Sequence, residues 1–142
     1  MNHSLQKLEE DYSIEAQSKA LYADGLGYMK VLEGHLEVPS RFDVKLLHNI
    51  ANMAFEKLMV SLLAYYGIEA LNHTPVALFA EAVKTEKLLT ENMRQTARSL
   101  QKHESICVFV GTGYTVPEAD ELRAIIHGLI EIRDFVGARV AS

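Results

Sequence analysis

Apolar residues recur at three- and four-residue spacing through most of this chain, and strand-type alternation is hard to find anywhere in it. The most informative run is Phe42 to Gly67, FDVKLLHNIANMAFEKLMVSLLAYYG. It begins amphipathic, with Lys45, Asn49, Asn52 and Glu56 on one polar stripe, and that stripe disappears after Lys57. From Leu58 to Ile68, apart from the hydroxyls of Tyr65 and Tyr66, the sole polar side chain is Ser61. A helix with one apolar stripe packs on one neighbour, whereas one that is apolar all round must be surrounded. The pattern therefore predicts that this segment is the centre of a helical bundle, or the seam between two copies of one.

The flanking segments predict the remaining helices. From Ser4 to about Gly34, Leu5, Leu8 and Tyr12 are followed by Ala16, Ala20, Ala23, Gly27 and Val31 at helical spacing. Small residues on one stripe let a neighbouring helix approach closely. Gly25 and Gly27 each cost about 1 kcal/mol against alanine, so a kink or a close contact is expected there. Gly34 suits the left-handed position that ends a helix. Pro39-Ser40 precedes the second helix, and Ser40 with Asp43 fits a capping box. Gly67-Ile68 fits a Schellman ending in which Ile68 packs back on the last turn. Thr74-Pro75 opens a short helix of about 75–84, with threonine as N-cap and proline first in the helix. Another piece runs from Thr85 or Thr90 to Cys107, with Met93, Ala97, Leu100 and Cys107 inward, and VFVGTGYTVP then reads as a loop. Thr115 with Glu118 fits a second capping pattern, ahead of the stripe Leu122, Ile125, Ile126, Leu129, Val136 and Val140. The expected fold is all-α, an up-down antiparallel four-helix bundle with an extra short helix between the second and third main helices.

Composition narrows the class. The chain has 142 residues, of which 49% are hydrophobic, so one domain spanning 1–142 with a proper core is expected. A net charge of −5 argues against a generally basic, nucleic-acid-coating protein, while leaving room for a local basic patch. Cys107 is the only cysteine, so no internal disulfide forms, and a lone thiol suits a reducing cytosol. The opening MNHSLQKLEEDY is charged where a signal peptide needs an apolar stretch. No apolar run approaches the roughly 20 residues of a membrane span. A cytoplasmic protein with no membrane association is expected.

Candidate chemistry is sparse. There are six histidines, but no Glu-x-x-His pair of the kind a metal-binding bundle places on two helices. Glu69 and His73 are four apart, as are His127 and Glu131, but the first pair lies beyond the helix-ending glycine and the second reads as a surface pair. No metal and no cofactor is expected. Cys107, four residues after His103, lies on the inward stripe, where cysteine behaves as a small apolar residue. The glycines at 111 and 113 follow no strand, so they mark a turn and not a phosphate loop. The third main helix carries the stronger signal. Arg94, Arg98 and Lys102 stand four apart on one face, and no acidic residue occurs between Asn92 and His103. Such a stripe can hold a row of phosphates, because the guanidinium fork matches phosphate oxygens. A solvated helix face is the plain alternative.

The second half of the second helix together with the loop and short helix after it, EKLMVSLLAYYGIEALNHTPVALFAEAV, resembles the HEPN family of helical nucleotide- and RNA-associated domains. The likeness lies in helix order and pattern from about Ala16 to Val136: a small-residue first helix, a second ending in leucines and a glycine, then a histidine-containing loop and a short helix. Many members carry an Arg-x(4–6)-His motif near the end of the third main helix. They act as metal-independent endoribonucleases, or as toxins paired with a nucleotidyltransferase partner. Arg98-Ser-Leu-Gln-Lys-His103 has that spacing at that place, with Ser99 where the family often has Asn, Asp or His. Positions five apart differ by about 140° around a straight helix, so Arg98 and His103 do not converge within one helix. The resemblance implies a site completed across a homodimer interface. His103 would then be general base or acid for attack of an RNA 2′-hydroxyl, and Arg98 would stabilise charge developing on the phosphate. Relatives without a working motif bind without cutting. The favoured expectation is accordingly a non-catalytic HEPN-like dimer that binds a nucleotide, RNA or a protein partner through Arg94, Arg98 and Lys102. A metal-independent, toxin-like endoribonuclease using Arg98 and His103 is the first alternative, and a purely structural interaction bundle the second.

Overall fold

The computed structural model describes residues 3–38, 42–104 and 115–141, with side chains from 13, 42 and 115 onward up to 38, 103 and 141. Expectations for Pro39-Ser40, the 111–113 turn and Cys107 lie outside the described residues. Five helices and no strand occur among the described residues: α1 (His3–Glu37), α2 (Val44–Tyr65), α3 (Pro75–Thr85), α4 (Glu91–Glu104) and α5 (Ala119–Val140).

α2 is the centre. It touches each of the other four helices, and Leu58, Met59, Leu62 and Leu63 have no exposed surface. Its apolar late turns are thus enclosed within a single chain, so no second copy is required to cover them. The exposed large side chains of these late turns are Tyr65, the last helical residue, and Tyr66, the C-cap. Ser61, the polar exception, is buried against α1. Its hydroxyl donates to the Ser18 carbonyl at 2.7 Å, and the Ser18 hydroxyl donates to the Ser61 carbonyl at 2.9 Å.

The face that α1 turns to α2 carries Ser18, Gly25, Met29 and Leu32. The small-residue stripe Ala16, Ala20, Ala23 and Gly27 points to solvent, opposite to the sequence-based expectation. Burying Met29 and Leu32 contributes about 1.5–3 kcal/mol each, which outweighs a close contact between alanines. Gly25 is the real point of close approach, since a Cβ there would lie 2.9 Å from Leu58 Cδ2. α1 also continues through Gly34, with the Val38 amide donating to the Gly34 carbonyl at 3.0 Å. Leu36 packs on the core beyond that glycine and holds the extra turn.

Helix ends follow local chemistry with two shifts. α2 is capped by Asp43 itself, whose carboxylate accepts from the Leu46 amide at 2.7 Å. At its other end Ile68 N donates to Leu63 O and Gly67 N to Ala64 O, both at 2.9 Å, with Gly67 at φ +72°. This is the expected Schellman pair. Pro75 opens α3 as expected, and Thr90, not Thr85, opens α4, its hydroxyl accepting from the Met93 amide. α5 begins at Ala119 with Glu118 as N-cap, three residues later than Thr115 as N-cap implies. Pro117 disfavours helical geometry at Val116, which rules out the start there that Thr115 as N-cap would give.

Side-chain pairings fix the directions of neighbours. Ser18 meets Ser61 while Gly25 meets Leu58, so α1 and α2 run antiparallel. Asn92 meets Glu131 while His103 meets Glu121, so α4 and α5 do too. Glu33 pairs with Arg133, and Tyr22 packs at Gly137, which sets α5 antiparallel to α1.

Candidate functional site

α4 carries polar and basic residues on one side and Met93, Ala97 and Leu100 on the other, so packing on α2, α3 and α5 turns Arg94, Arg98 and Lys102 outward. Their side chains are 34%, 54% and 69% exposed. The row is less free of acid than its own stretch of sequence implies. Glu91, in the first turn, reaches both arginines: its carboxylate lies 3.3 Å from Arg94 Nε and 3.6 Å from Arg98 Nη1. Its positions three and seven residues before them place it on the same face, a spacing legible in the sequence. Arg94 also covers the ring of Phe79 at 4.9 Å, a cation–π contact that fixes the N-terminal end of the row. Lys102 Nζ is 3.9 Å from Glu121 Oε1. Exposed pairs of this length contribute about 0–1 kcal/mol, so phosphate oxygens can displace the carboxylates at little cost.

His103 faces the other way. It is 4% exposed, and both ring nitrogens are engaged: Nδ1 lies 3.0 Å from the Thr115 hydroxyl and Nε2 lies 2.6 Å from Glu121 Oε1. Arg98 pairs on Glu91, whereas Lys102 and His103 share Glu121. Within one chain, then, the four sequence-derived site residues form two pairs, each on its own carboxylate, and Arg98 and His103 do not meet at either. The 140° separation expected around the helix is realised as one side chain out and one in.

Behind His103 lies a residue that sequence reasoning passed over. His48 of α2 is 5% exposed and sits edge-on to the His103 ring, with centroids 5.5 Å apart and planes at 78°. Its ring donates to the Leu100 backbone, while Nε2 is buried without a hydrogen-bond partner. Burial lowers the His48 pKa from the usual 6.5, and the neighbouring His103 lowers it further, against smaller upward pulls from Leu100 and Glu121. Two charged imidazoles at this distance would repel by about 3 kcal/mol at an effective dielectric of roughly 20. His48 occupies the inward face at three- and four-residue spacing with Ala51 and Phe55, the signal that marks it as a core position.

A second polar cluster lies at the opposite end of α2. Glu86, 5% exposed, accepts from Tyr66 and from Arg139 Nε, the latter at 2.6 Å. Burial alone would raise the Glu86 pKa, but the hydrogen bonds from Arg139 and Tyr66 and the Arg139 charge outweigh it and hold the carboxyl below 4.5. Two open clefts of about 500 and 440 Å³ flank this end, walled by Ile14, Ser18, Tyr65, Gly67 and Arg139 and by Val60, Ala64, Ile68 and His73. The histidine-containing loop is tied down: His73 Nδ1 lies 3.0 Å from Glu56 Oε1 and Nε2 lies 3.2 Å from the Ala70 carbonyl. On α5, Glu131 accepts twice from Asn92, at 3.0 and 2.9 Å.

Among the described residues, no three His, Cys, Asp or Glu side chains cluster to hold a metal ion, and no helix is long and apolar enough to cross a membrane. Comparison of the chain with family models, with curated proteins and with solved structures returns no match.

Proposed function

We propose that this protein is a non-catalytic, HEPN-like, up-down four-helix bundle, with α3 as the extra short helix, that binds a polyanion through the outer face of α4. Nucleotides and RNA present the required row of phosphate oxygens, and a protein partner such as a nucleotidyltransferase would meet the same face with surface carboxylates. The observation that carries this reading is the opposite fate of the two motif residues. Arg98 is 54% exposed beside Lys102 at 69%, whereas His103 is 4% exposed with both ring nitrogens occupied. A general acid or base must reach the proton it moves, and an exposed row of cations needs no such access. The endoribonuclease alternative asks His103 to leave Thr115 and Glu121 first.

The test is fluorescence anisotropy with a labelled single-stranded RNA at several salt concentrations. Arg98→Glu and Lys102→Glu are expected to weaken binding and to reduce the salt slope by about 1 per lost phosphate contact. Wild-type affinity in both variants, or no binding by the wild type, overturns the reading.

A homodimer belongs to the same proposal, on a different part of α2 from the enclosed late turns. Leu46, Ile50 and Met53 follow four-three spacing, with Leu46 and Met53 each 42% exposed and Phe42 47% exposed beside them. That spacing suits a facing helix. Light scattering is expected to give a dimer for the wild type and a monomer for Leu46→Lys with Met53→Lys; a wild-type monomer at micromolar concentration refutes it.

A further inference from the structure

The four-three stripe of α2 continues past Met53. Lys57, Val60 and Ala64 keep its spacing, and Val60 and Ala64 wall the cleft of about 440 Å³ together with Ile68 and Ala70. The stripe thus has a bulky end, where Phe42 and Leu46 stand exposed, and a hollow end. We propose that two copies of this chain pack α2 on α2, antiparallel about a two-fold axis at Met53, so that Phe42 and Leu46 of each fill the cleft of the other and the two α4 faces lie on opposite outer sides of the dimer. This arrangement rests on the homodimer reading and gives it a geometry.

Register, shape and charge favour this orientation. Phe42 and Ala64 are each 11 residues from Met53, and Leu46 and Val60 are each seven. At 1.5 Å of rise per residue these pairs stand about 16 and about 10 Å on either side of the axis. A two-fold at Met53, with the shallow crossing of about 20° common in bundles, therefore sets Phe42 over Ala64 and Leu46 over Val60. Parallel packing would stack bulk on bulk and set hollow against hollow, where each lining loses its contacts. It would also oppose Lys57 to its own copy, whereas the antiparallel pair sets Lys57 beside Asn49 of the second copy.

The placement of the α4 faces follows from His48, which faces α4 through the His103 ring and the Leu100 backbone. At about 100° per residue, Leu46, Ile50, Met53 and Lys57 lie about 140–180° around α2 from it. The stripe looks away from α4, so pairing through it puts both basic rows at the outside. Arg98 and His103 of one copy never meet those of the other, and the dimer offers two separate polyanion faces.

Light scattering comes first: a wild-type monomer at micromolar concentration overturns the homodimer reading and this arrangement with it. In a Cys107→Ser background, oxidation of mixed Leu46→Cys and Val60→Cys chains is expected to give a covalent dimer, and oxidation of Leu46→Cys alone is not. Val60→Lys, which lies outside the patch of Leu46 and Met53, is expected to weaken dimerisation about tenfold or more by burying an unpaired charge. Spin labels at Gln95→Cys, on the exposed side of α4, read the placement of the two faces. Their separation is expected to exceed about 30 Å, because three helix-to-helix spacings of about 8–10 Å lie between them. A dimer in which Leu46→Cys cross-links to itself, the mixed pair fails to cross-link, or Val60→Lys dimerises as the wild type does overturns the arrangement and leaves the homodimer reading intact. A label separation below about 30 Å does the same. If the α2 variants do not fold, the Gln95 labels, which leave α2 unchanged, decide alone.

Discussion

Ser18 and Ser61 each donate a hydroxyl hydrogen to the other's backbone carbonyl, at 2.9 and 2.7 Å, across the buried boundary between α1 and α2. Ser61 is therefore not a flaw in an apolar helix but half of a reciprocal clasp. Both carbonyls remain bonded within their own helices, so removing one hydroxyl strands no acceptor. Ser61→Ala is expected to cost about 1 kcal/mol. Ser61→Leu, which adds volume to a site with no exposed surface, should cost about 1–3 kcal/mol. Urea unfolding of the two variants checks both values; a neutral Ser61→Leu would show that the boundary has room.

Glycines of similar sequence context should respond in opposite directions. A Cβ on Gly128 would lie 3.0 Å from the Thr96 Cβ and closer still to its hydroxyl, whereas one on Gly27 meets nothing within 4 Å. Gly128→Ala is expected to destabilise by about 1–3 kcal/mol through overpacking at the α4–α5 crossing. Gly27→Ala should stabilise by about 0.5–1 kcal/mol, the ordinary helix-propensity gain on an exposed face. Denaturant midpoints that shift in opposite directions with unchanged m-values would confirm that both are changes in stability and not in the surface exposed on unfolding.

Stability should fall in two steps on acidification. Burial and the nearby His103 hold His48 below its ordinary 6.5, so the folded state favours the neutral ring. That contribution is complete above about pH 6.5 and is lost as pH falls toward the folded value. Glu86 is held below 4.5 in the fold, so its contribution persists above that value and is lost below it as the carboxyl protonates. Urea midpoints measured from pH 8 to 3 should show both declines. His48→Phe should remove the first and Glu86→Gln the second. A wild-type profile flat between pH 7 and 5 would contradict the assignment for His48.

His103 is predicted to matter for stability more than for any reaction. His103→Ala removes a buried ring that touches His48, Thr115 and Glu121, at a cost of about 2–4 kcal/mol. With RNA and no added metal, wild type and His103→Ala should both leave the substrate uncut. Cleavage by the wild type that disappears in the variant, under conditions where circular dichroism shows both folded, would favour the endoribonuclease reading.

The helices were legible because burial follows periodicity. The stripe Leu122, Ile125, Ile126, Leu129, Val136 and Val140 is buried throughout, and Gly67-Ile68 forms the two Schellman bonds that its residue types call for. The outward row Arg94, Arg98, Lys102 was legible for the same reason. What misled was local chemistry with more than one outlet. Thr115 has the makings of an N-cap, yet Pro117 stands in the way and its hydroxyl pairs with His103. The alanines of α1 suit a close helix contact, but Met29 and Leu32 on the other face had more apolar surface to bury. Glu91 is a first-turn acid by position and a partner of two arginines in space.

Sequence alone determined that the described chain is helical and that α2 is its most enclosed element, because spacing and side-chain polarity act over a few residues. Tertiary structure decided what those helices do to one another. It turned the small stripe of α1 outward, enclosed the late turns of α2 within one chain and left the early turns partly exposed. It also separated Arg98 from His103 and set His48 against His103 behind a carboxylate shared with Lys102. Those outcomes depend on which of several apolar faces buries most surface and which carboxylate comes within reach. Residues as far apart in sequence as His48, His103 and Glu121 settle that only when the helices pack.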